Sequence, residues 1–339
     1  MKEILSEYSL LPENISVEKI GNGLINTTWL VSSGVKQFVL QKINTDIFKK
    51  PEDIAFNISM MNGYLKANHP GYLFIAEIKT VSGMEMVKTS EGYFRLFPFV
   101  ENSHTIDVVK NPAQAYEAAR QFGRFTKLLS GFDVTRLKIT LPDFHNLSLR
   151  FQQFESSLEQ GNKERISEAK ELIQFLLTNK TIVEEFEKRK PSFKIRCTHH
   201  DTKISNVLFD TNDKGLCVID LDTVMPGYFI SDMGDMMRTY LCPVSEEEKD
   251  LKAISIRGDY YNALVNGYMS EMGEELTLVE KDSFLFSGKF MIYMQALRFL
   301  TDYLNNDIYY GSKYPGHNQV RANNQATLLK KLLEFNSSD

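Results

Sequence analysis

The chain has 339 residues, 42% of them hydrophobic, which is enough for two lobes with a substantial core and excludes a disordered chain. The net charge of −5 offers no basic field for a phosphate backbone, so nucleic acid is excluded as the expected partner. No signal-peptide pattern opens the sequence and no window contains 18 uninterrupted apolar residues, which predicts a cytoplasmic protein without a membrane partner.

The first hundred residues favour a β-rich lobe. Apolar and polar side chains alternate in three bursts between residues 14 and 41, separated by glycine-containing turns, and predict a three-stranded meander. Pro51 stands where a helix would begin, and apolar residues at helical spacing follow it. Further strands are predicted in YLFIAEIK, MEMVK and YFRLFPFV, the last interrupted by Pro98.

Helical periodicity dominates after about residue 112, and the polar segment at residues 101–107 separates the two halves as a short hinge. One β-rich island, residues 195–223, lies inside the helical half. There the apolar runs NVLF and LCVI flank a polar turn and predict a hairpin, whose open ends bring the flanking polar groups together. We therefore predict two lobes, residues 1–100 and 101–339.

The segment HHDTKISN at residues 199–206 fits the spacing H-x-D-x-x-x-x-N of the kinase catalytic loop. Phosphoryl transfer needs a carboxylate within reach of the attacking hydroxyl, and Asp201 is the candidate for accepting that proton. Asn206 offers Mg²⁺ a neutral oxygen, and His199 is expected to hold the loop through backbone contacts. Such residues are ordinarily turn formers and caps, so the motif depends on its context.

That context comes from VIDLD at residues 218–222, which places a carboxylate directly after the second strand of the predicted hairpin. Asp220 is then expected beside Asn206. Hard cations take oxygen ligands, so Asp220 and Asn206 predict an incomplete Mg²⁺ shell that nucleotide phosphates complete, with Asp222 as a secondary ligand. The fold expected from these features is α+β and protein-kinase-like, with a small β-rich N-terminal lobe and a larger, mostly helical C-terminal lobe.

Nucleotide contacts are expected from the N-terminal lobe. The turn with Gly21 and Gly23 would cover the phosphates of ATP with backbone N–H groups, and Asn26 and Thr27 would add side-chain donors, although such a turn is most often only a hairpin. The hinge residues Pro98 and Val100 are candidates for backbone contacts with adenine, and an ordinary buried strand is the alternative.

The third strand ends in VLQKI, where a kinase keeps a lysine for the α- and β-phosphates. Adjacent strand residues point in opposite directions, so either Lys42 or Gln41 faces the phosphates. We favour Lys42 because phosphates require a cation, with Glu52 as its helix partner. Further along, one aspartate of DMGDMMR, residues 232–238, is expected to brace the catalytic loop or to cap its helix.

These stretches resemble the aminoglycoside phosphotransferase and choline kinase superfamily. The likeness rests on VLQKIN, THHDTKISNVLFD, VIDLDTVMPG and DMGDMMR, and the combination of DLDTVMPG with LRFLTDYLNNDIYY is most similar to the N-acetylhexosamine 1-kinase branch. The resemblance implies Asp201 as the catalytic base and Asn206 and Asp220 as Mg²⁺ ligands. It further implies ATP as the donor and, as the acceptor, the anomeric hydroxyl of GlcNAc or GalNAc.

Polar side chains that a sugar acceptor would contact in the similar stretches are Asp201, Asp235, Arg298 and His317, with an aromatic platform from Tyr303, Tyr309 or Tyr310. A kinase for an aminoglycoside, choline, homoserine or methylthioribose would keep the same nucleotide-site residues. A catalytically inactive kinase fold is the alternative from another class, and the presence of Asp201, Asn206 and Asp220 counts against it.

Overall fold

The computed structural model describes residues 1–10, 15–21 and 25–335. A five-stranded antiparallel sheet forms the N-terminal lobe in the order β1-β2-β3-β5-β4. Its strands are β1 Ile15–Ile20, β2 Thr27–Ser33, β3 Lys36–Lys42, β4 Val87–Thr89 and β5 Gly92–Pro98. The predicted three-stranded meander and the strand ending at Pro98 are therefore confirmed.

Two helices accompany this sheet, α1 Lys2–Ser6 and α2 Pro51–Asn68. α1 packs on the outer face of the sheet in a small cluster of buried side chains, Ile4, Leu5, Tyr8, Val31, Leu40, Phe94 and Leu96. α2 begins at Pro51 as predicted, because the missing N–H of proline costs nothing at the first helical position. Its buried apolar side chains join the large core of the C-terminal lobe.

The segment YLFIAEIK, predicted as a strand, has no regular secondary structure. Its side chains divide between two cores: Tyr72 and Ile75 lie in the large cluster and Ile78 packs on the small one. A backbone bond from the Ile78 N–H to the Leu96 carbonyl (2.7 Å) attaches the segment to β5. The chain crosses between the cores here, and the alternation of apolar residues reflects that crossing rather than a sheet.

Helices make up most of the C-terminal lobe. They are α3 Pro112–Leu128, α4 Leu147–Gln160, α5 Lys163–Glu168, α6 Lys170–Thr178, α7 Thr181–Arg189, α8 Phe229–Tyr240, α9 Gly258–Met272, α10 Leu278–Lys281, α11 Phe284–Leu304 and α12 His317–Glu334. α11 is almost entirely buried and packs against α4, α8 and α12. None of the helices among the described residues has the length and apolar character needed to cross a bilayer.

The β-rich island at residues 195–223 contains the short strands β7 Arg196–Thr198, β8 Val207–Asp210 and β9 Gly215–Val218. Two further short strands outside it, β6 Ser103–His104 and β10 Met225–Gly227, pair with the island. β8 and β9 form the predicted hairpin. β6 pairs with the free edge of β8, and β7 pairs with β10. The three cysteines, Cys197, Cys217 and Cys242, are free and buried.

Asn57 of α2 connects the helix to the C-terminal lobe. Its side-chain amide is fully buried, donates to the carbonyls of Lys138 (2.9 Å) and Val224 (3.1 Å), and accepts from the Lys138 N–H (2.8 Å). A buried amide without partners would be costly, so these bonds fix the position of α2 on the larger lobe.

Candidate active site

The β8–β9 hairpin brings the two motif segments together. β8 begins directly after Asn206 and β9 ends directly before Ile219, and the Ile219 N–H donates to the Asn206 carbonyl at 2.9 Å. Asp220 follows at the open end of the hairpin in a left-handed conformation, with φ 59° and ψ 61°. A non-glycine residue rarely adopts this conformation, and here it redirects the chain immediately after the strand.

Asp201 is held by its own loop. The Asn206 side-chain amide donates to the Asp201 carbonyl (2.8 Å) and to its carboxylate (3.1 Å), and the Lys203 ammonium lies 3.0 Å from the other carboxylate oxygen. The Asp201 side chain is 17% exposed. It is therefore oriented by the protein and remains accessible from the cleft between the lobes.

Asp232 at the start of α8 supports the loop from below. Its carboxylate accepts from the backbone N–H groups of His199 (3.0 Å) and His200 (2.7 Å), while the His199 ring bonds the Ile219 carbonyl at 2.9 Å. Burial raises the pKa of Asp232 to about 7, and the two backbone donors oppose that rise. Asp232 is thus the bracing aspartate, and His199 holds the loop through backbone contacts as expected.

Asp235 lies one turn further along α8 and also supports the loop. One carboxylate oxygen accepts from the Thr202 N–H (2.9 Å) and the other from the Arg238 guanidinium (3.0 and 3.1 Å). The residue is 4% exposed. Because both oxygens are bonded within the protein, the structure corrects the predicted substrate contact of Asp235 to a bracing contact.

Asp220, Asp222 and Asp201 form an acidic cluster that faces Asn206. The Asp220 side chain is exposed to solvent, yet the protein atoms packed around it, followed by the carboxylates of Asp222 and Asp201, raise its pKa to about 7. Asn206 uses its amide nitrogen for Asp201, which leaves its amide oxygen as a ligand atom. Oxygen donors with excess negative charge fit Mg²⁺. Among residues 1–10, 15–21 and 25–335, no group of three or more aspartate, glutamate, histidine or cysteine side chains is arranged to hold a metal ion by itself. Oxygen atoms of the nucleotide would therefore have to complete the coordination shell.

Described residues on both sides of the β1–β2 connection bear on this cluster. Gly21 has a positive φ of 73°, whereas Gly23 lies outside the described residues. Asn26 donates across the cleft to the Asp222 carboxylate (2.8 Å) and accepts from the Asn44 N–H (3.0 Å), and Thr27 is the first residue of β2. The described part of the turn therefore reaches the acidic cluster through Asn26.

The orientation of β3 corrects the prediction for Lys42. Gln41 points into the cleft, where its side-chain oxygen accepts from the Arg95 guanidinium (2.9 and 3.2 Å). Lys42 lies on the opposite face, with its ammonium 5.9 Å from the centroid of the Phe94 ring. Its expected partner Glu52 instead accepts from the Tyr93 hydroxyl at 2.7 Å. Strand alternation, not charge, determines which residue faces the cleft.

Pro98 and Val100 lie at the junction of the lobes. Pro98 is the last residue of β5, and the Val100 carbonyl accepts from the Ser103 hydroxyl at 2.7 Å. Proline has no N–H, so Pro98 can offer adenine only its carbonyl. The apolar side chain of Phe97 lies on the cleft side of β5, under the Arg95 guanidinium (5.0 Å). Adenine binding at this hinge remains a prediction.

Arg298 on α11 lies among aromatic rings. Its guanidinium is 5.7 Å from the centroid of Phe144, 5.8 Å from Tyr309 and 5.4 Å from Tyr310, and it donates to the Gln295 side chain at 3.3 Å. Cation–π contacts of this kind hold the guanidinium in place without neutralising it.

The same rings connect Arg298 to the catalytic loop. Phe144 stacks on His145 (ring centroids 4.4 Å apart), and the His145 Nδ1 lies 3.3 Å from the His200 Nδ1. Burial lowers the pKa of both imidazoles, of His200 to about 3, so both are neutral near pH 7. We call this surface the histidine–arginine wall, and it consists of Phe144, His145, His200, Arg298 and Tyr310.

His317 and Tyr303 lie in separate surroundings. His317 begins α12, is 4% exposed, and has its Nδ1 at 3.4 Å from the Lys313 N–H and its Nε2 at 3.5 Å from Glu247. Tyr303 is buried and its hydroxyl donates to Glu168 (2.5 Å), which removes it from the predicted aromatic platform. Arg298 is therefore the predicted sugar contact outside the catalytic loop that is connected to that loop, through the side chains of the histidine–arginine wall.

Three site residues were not found by sequence reasoning. Lys203 stands two residues after Asp201, within the motif itself, where a cation beside an expected base was a usable signal. Arg95 was detectable from the alternation of β5, which puts it on the same face as Phe97. His145 lies 55 positions before His200, and no local pattern marked it.

Comparisons with known proteins agree with this geometry. A model of the phosphotransferase enzyme family matches residues 16–257. A microcompartment-associated aminopropanol kinase is 16% identical, with 98% of this chain and 96% of that chain covered and a TM-score of 0.62. Choline kinase from Cryptosporidium parvum Iowa II is 13% identical, with 96% and 95% covered and a TM-score of 0.59. Spectinomycin phosphotransferase in complex with ADP and spectinomycin is 11% identical, with 97% and 95% covered and a TM-score of 0.56. These likenesses confirm the predicted two-lobed, kinase-like fold.

Proposed function

The chain belongs to the phosphotransferase enzyme family and is a small-molecule kinase, and on that premise we propose that it transfers the γ-phosphoryl group of ATP to the anomeric hydroxyl of an N-acetylhexosamine, GlcNAc or GalNAc. The product is the sugar 1-phosphate together with ADP. The coarse activity rests on the family, and the acceptor rests on the chemistry of the histidine–arginine wall, which adjoins the catalytic loop at His200.

The roles follow from the loop geometry. Asp201 accepts the proton of the sugar hydroxyl as its oxygen bonds the γ-phosphorus, and the bond between that phosphorus and the bridging oxygen of ADP breaks. Lys203, 3.0 Å from Asp201, holds the carboxylate and provides positive charge where the phosphoryl group passes. Asn206 and Asp220 would hold Mg²⁺, with Asp222 as a further ligand. When bound, the ion offsets the charge of the phosphate oxygens.

The observation that carries the acceptor class is the charge of the histidine–arginine wall. Its members are aromatic rings, two imidazoles that remain neutral near pH 7, and the guanidinium of Arg298. An ammonium acceptor would require an acidic or an electron-rich aromatic cage and would be repelled by a guanidinium. A neutral polyhydroxylated ring suits a surface that offers hydrogen-bond groups and aromatic faces.

This chemistry supports a different acceptor from those named for two of the similar structures, choline and aminopropanol. Choline carries a quaternary ammonium and aminopropanol an amine, so an acceptor site for either would be expected to expose negative charge. The carboxylates beneath the loop, Asp232 and Asp235, are bonded to backbone N–H groups and to Arg238. They are therefore engaged by the protein and are not presented to an amine.

An acceptor panel tests the proposal. Purified protein with ATP and Mg²⁺ is assayed for ADP release with GlcNAc, GalNAc, choline, aminopropanol and kanamycin, and phosphorus NMR identifies the product. We expect turnover with an N-acetylhexosamine and a sugar 1-phosphate whose signal is split by the anomeric proton. Discrimination against ligands without the sugar hydroxyls should reach ~10⁴-fold, because buried polar groups would be left unpaired.

The outcomes separate the parts of the proposal. Formation of only the 6-phosphate would overturn the anomeric position. Rapid turnover of choline or aminopropanol alongside inert sugars would overturn the acceptor class and leave a kinase for another small alcohol. Absence of ADP formation with every acceptor, from protein that binds nucleotide, would favour an inactive binding module.

A further inference from the structure

The cleft-facing side of β3 has no cation among the described residues. Lys42 is on the outer face beside Phe94, and Gln41 occupies the inward position. A triphosphate with its several negative charges needs positive charge from this lobe as well as from the metal. The neighbouring strand β5 has a cation on the same face, Arg95, which contacts Gln41 and Asp222.

Arg95 is almost completely buried and is held on three sides. Its Nη2 lies 2.6 Å from the Asp222 carboxylate, its Nε and Nη2 donate to Gln41 (3.2 and 2.9 Å), and its guanidinium lies over the Phe97 ring. The planar group is thus fixed at the edge of the acidic cluster, on the side where the N-terminal lobe covers it.

One edge of this guanidinium has no hydrogen-bond acceptor. Among the described residues, the buried Nη1 of Arg95 has no bonded partner, and Glu77 is 3.7 Å away. The facing Oε1 of Glu77 is likewise buried without a hydrogen-bond partner, whereas the Oδ1 of Asp222 is engaged by Nη2 at 2.6 Å. Buried charged groups are normally fully bonded, so the unbonded Nη1 of Arg95 marks a place that a ligand can complete.

We propose that Arg95 is the N-terminal-lobe cation that binds the phosphates of the nucleotide, and that Asp222 holds its guanidinium in place until the nucleotide arrives. This rests on the proposed function, because it names a further contact in the same nucleotide site. A guanidinium presents two parallel N–H groups to a phosphate, whereas an ammonium acts as a single point charge. Exchange of one anionic partner for another keeps the buried cation compensated throughout.

Calorimetric titration with ADP tests the assignment. Arg95→Gln should weaken binding of Mg²⁺-ADP by at least about tenfold, since hydrogen bonds to charged groups are strong. Binding of adenosine, which has no phosphate, should be unchanged. Arg95→Lys should recover only part of the loss, because the lysine lacks the paired donors. Lys88→Gln, on the exposed face of β4, is the matched control and should bind as the wild type does.

Asp222→Asn provides a test that does not depend on the stability of the Arg95 variants. Measured with ADP in the presence of EDTA, its affinity should exceed that of the wild type, because the anion that competes for Arg95 is gone. An affinity equal to or below the wild-type value would contradict the exchange.

The failure modes differ. If Arg95→Gln bound ADP as the wild type does while Lys42→Gln lost affinity, the phosphate cation would be Lys42 and this inference would be wrong. If Arg95→Gln lost adenosine and ADP affinity equally, Arg95 would only hold the lobes together. If the wild-type protein bound no nucleotide, the proposed function itself would fail.

Discussion

Asp201, Asn206 and Lys203 form one bonded unit, in which an amide and an ammonium fix the direction of a single carboxylate. The unit explains why the spacing of the motif is strict, since Asn206 must reach back five positions to both the carbonyl and the carboxylate of Asp201. An insertion or deletion of one residue between Asp201 and Asn206 would separate these groups.

Asp201→Asn should fold as the wild type does and lose at least about 100-fold in kcat, because an amide keeps the shape but cannot accept the proton. Steady-state kinetics with the best acceptor would measure the loss, and thermal unfolding would check the fold. Nucleotide affinity by calorimetry is the control and should change little. A variant that retained more than about a tenth of the wild-type rate would lose under ~1.4 kcal/mol and would exclude Asp201 as the base.

The sequence predicted these central residues because their chemistry is encoded in short spacing. Asp201, Asn206 and Asp220 follow a motif and a hairpin, both of which are local. Lys42 was predicted to face the phosphates because of its charge, although the alternation of β3 equally allowed Gln41. Which of the two faces the cleft became clear only from the contact between Gln41 and Arg95 of a neighbouring strand. Asp235 was misassigned because its bond from the Thr202 N–H exists only where α8 packs on the catalytic loop, although its pairing with Arg238, three residues later on the same helix, could be read from the sequence.

At the scale of elements, close helix contacts depend on glycine at particular positions. In α9, a Cβ added at Gly267 would collide with the backbone carbonyl of Tyr116 on α3. In α2, a Cβ added at Gly63 would meet nothing within 4 Å. Glycine therefore allows α9 to pack closely on α3 at Gly267, whereas at Gly63 it only lowers the helix propensity of α2.

Gly267→Ala should lower the free energy of unfolding by about 1–3 kcal/mol, because the backbone of α3 cannot yield without disturbing the core. Gly63→Ala is the matched control and should raise it by roughly 0.5–1 kcal/mol through better helix propensity at an exposed site. Urea titration of both variants measures the pair. If both substitutions raised the free energy of unfolding by the same amount, α3 and α9 would not be packed as described.

Prediction of helices and strands succeeded where the apolar side chains of a segment all pack into one core. The meander, the start of α2 and the β8–β9 hairpin each follow from alternation or from turn and capping residues. The segment YLFIAEIK failed for the reason that its apolar side chains serve two different cores. Periodicity reports that a residue is buried, but it does not report against which element.

At the scale of the molecule, the hydrophobic cores do not coincide with the two halves of the chain. α2 precedes the hinge in sequence, yet its buried side chains belong to the larger core, and Asn57 bonds it to Lys138 and Val224. The sheet and α1 have a core of their own. We therefore expect the sheet with α1, without α2, to be the unit that moves against the C-terminal lobe.

Native-state hydrogen exchange should reveal this division. Amides in the middle of α2 should open with free energies close to those of α3 and α11, and amides of β1 and β2 should open more easily. Asn57→Ala should lower the protection of α2 toward that of the sheet, because the bonds to the larger lobe are removed. Exchange of α2 together with β1 and β2 in the wild-type protein would contradict the assignment of α2 to the larger core.

The outward position of Lys42 also bears on chemical labelling of the protein. Acylating nucleotide reagents modify a lysine amine that lies against the phosphates, and a guanidinium does not react in the same way because it stays protonated. Lys42 lies on the far side of the sheet, and Arg95 takes the inward place on β5. Such a reagent would find Lys203 of the catalytic loop as its amine, so a survey that identifies kinases by a labelled strand lysine would pass over this one.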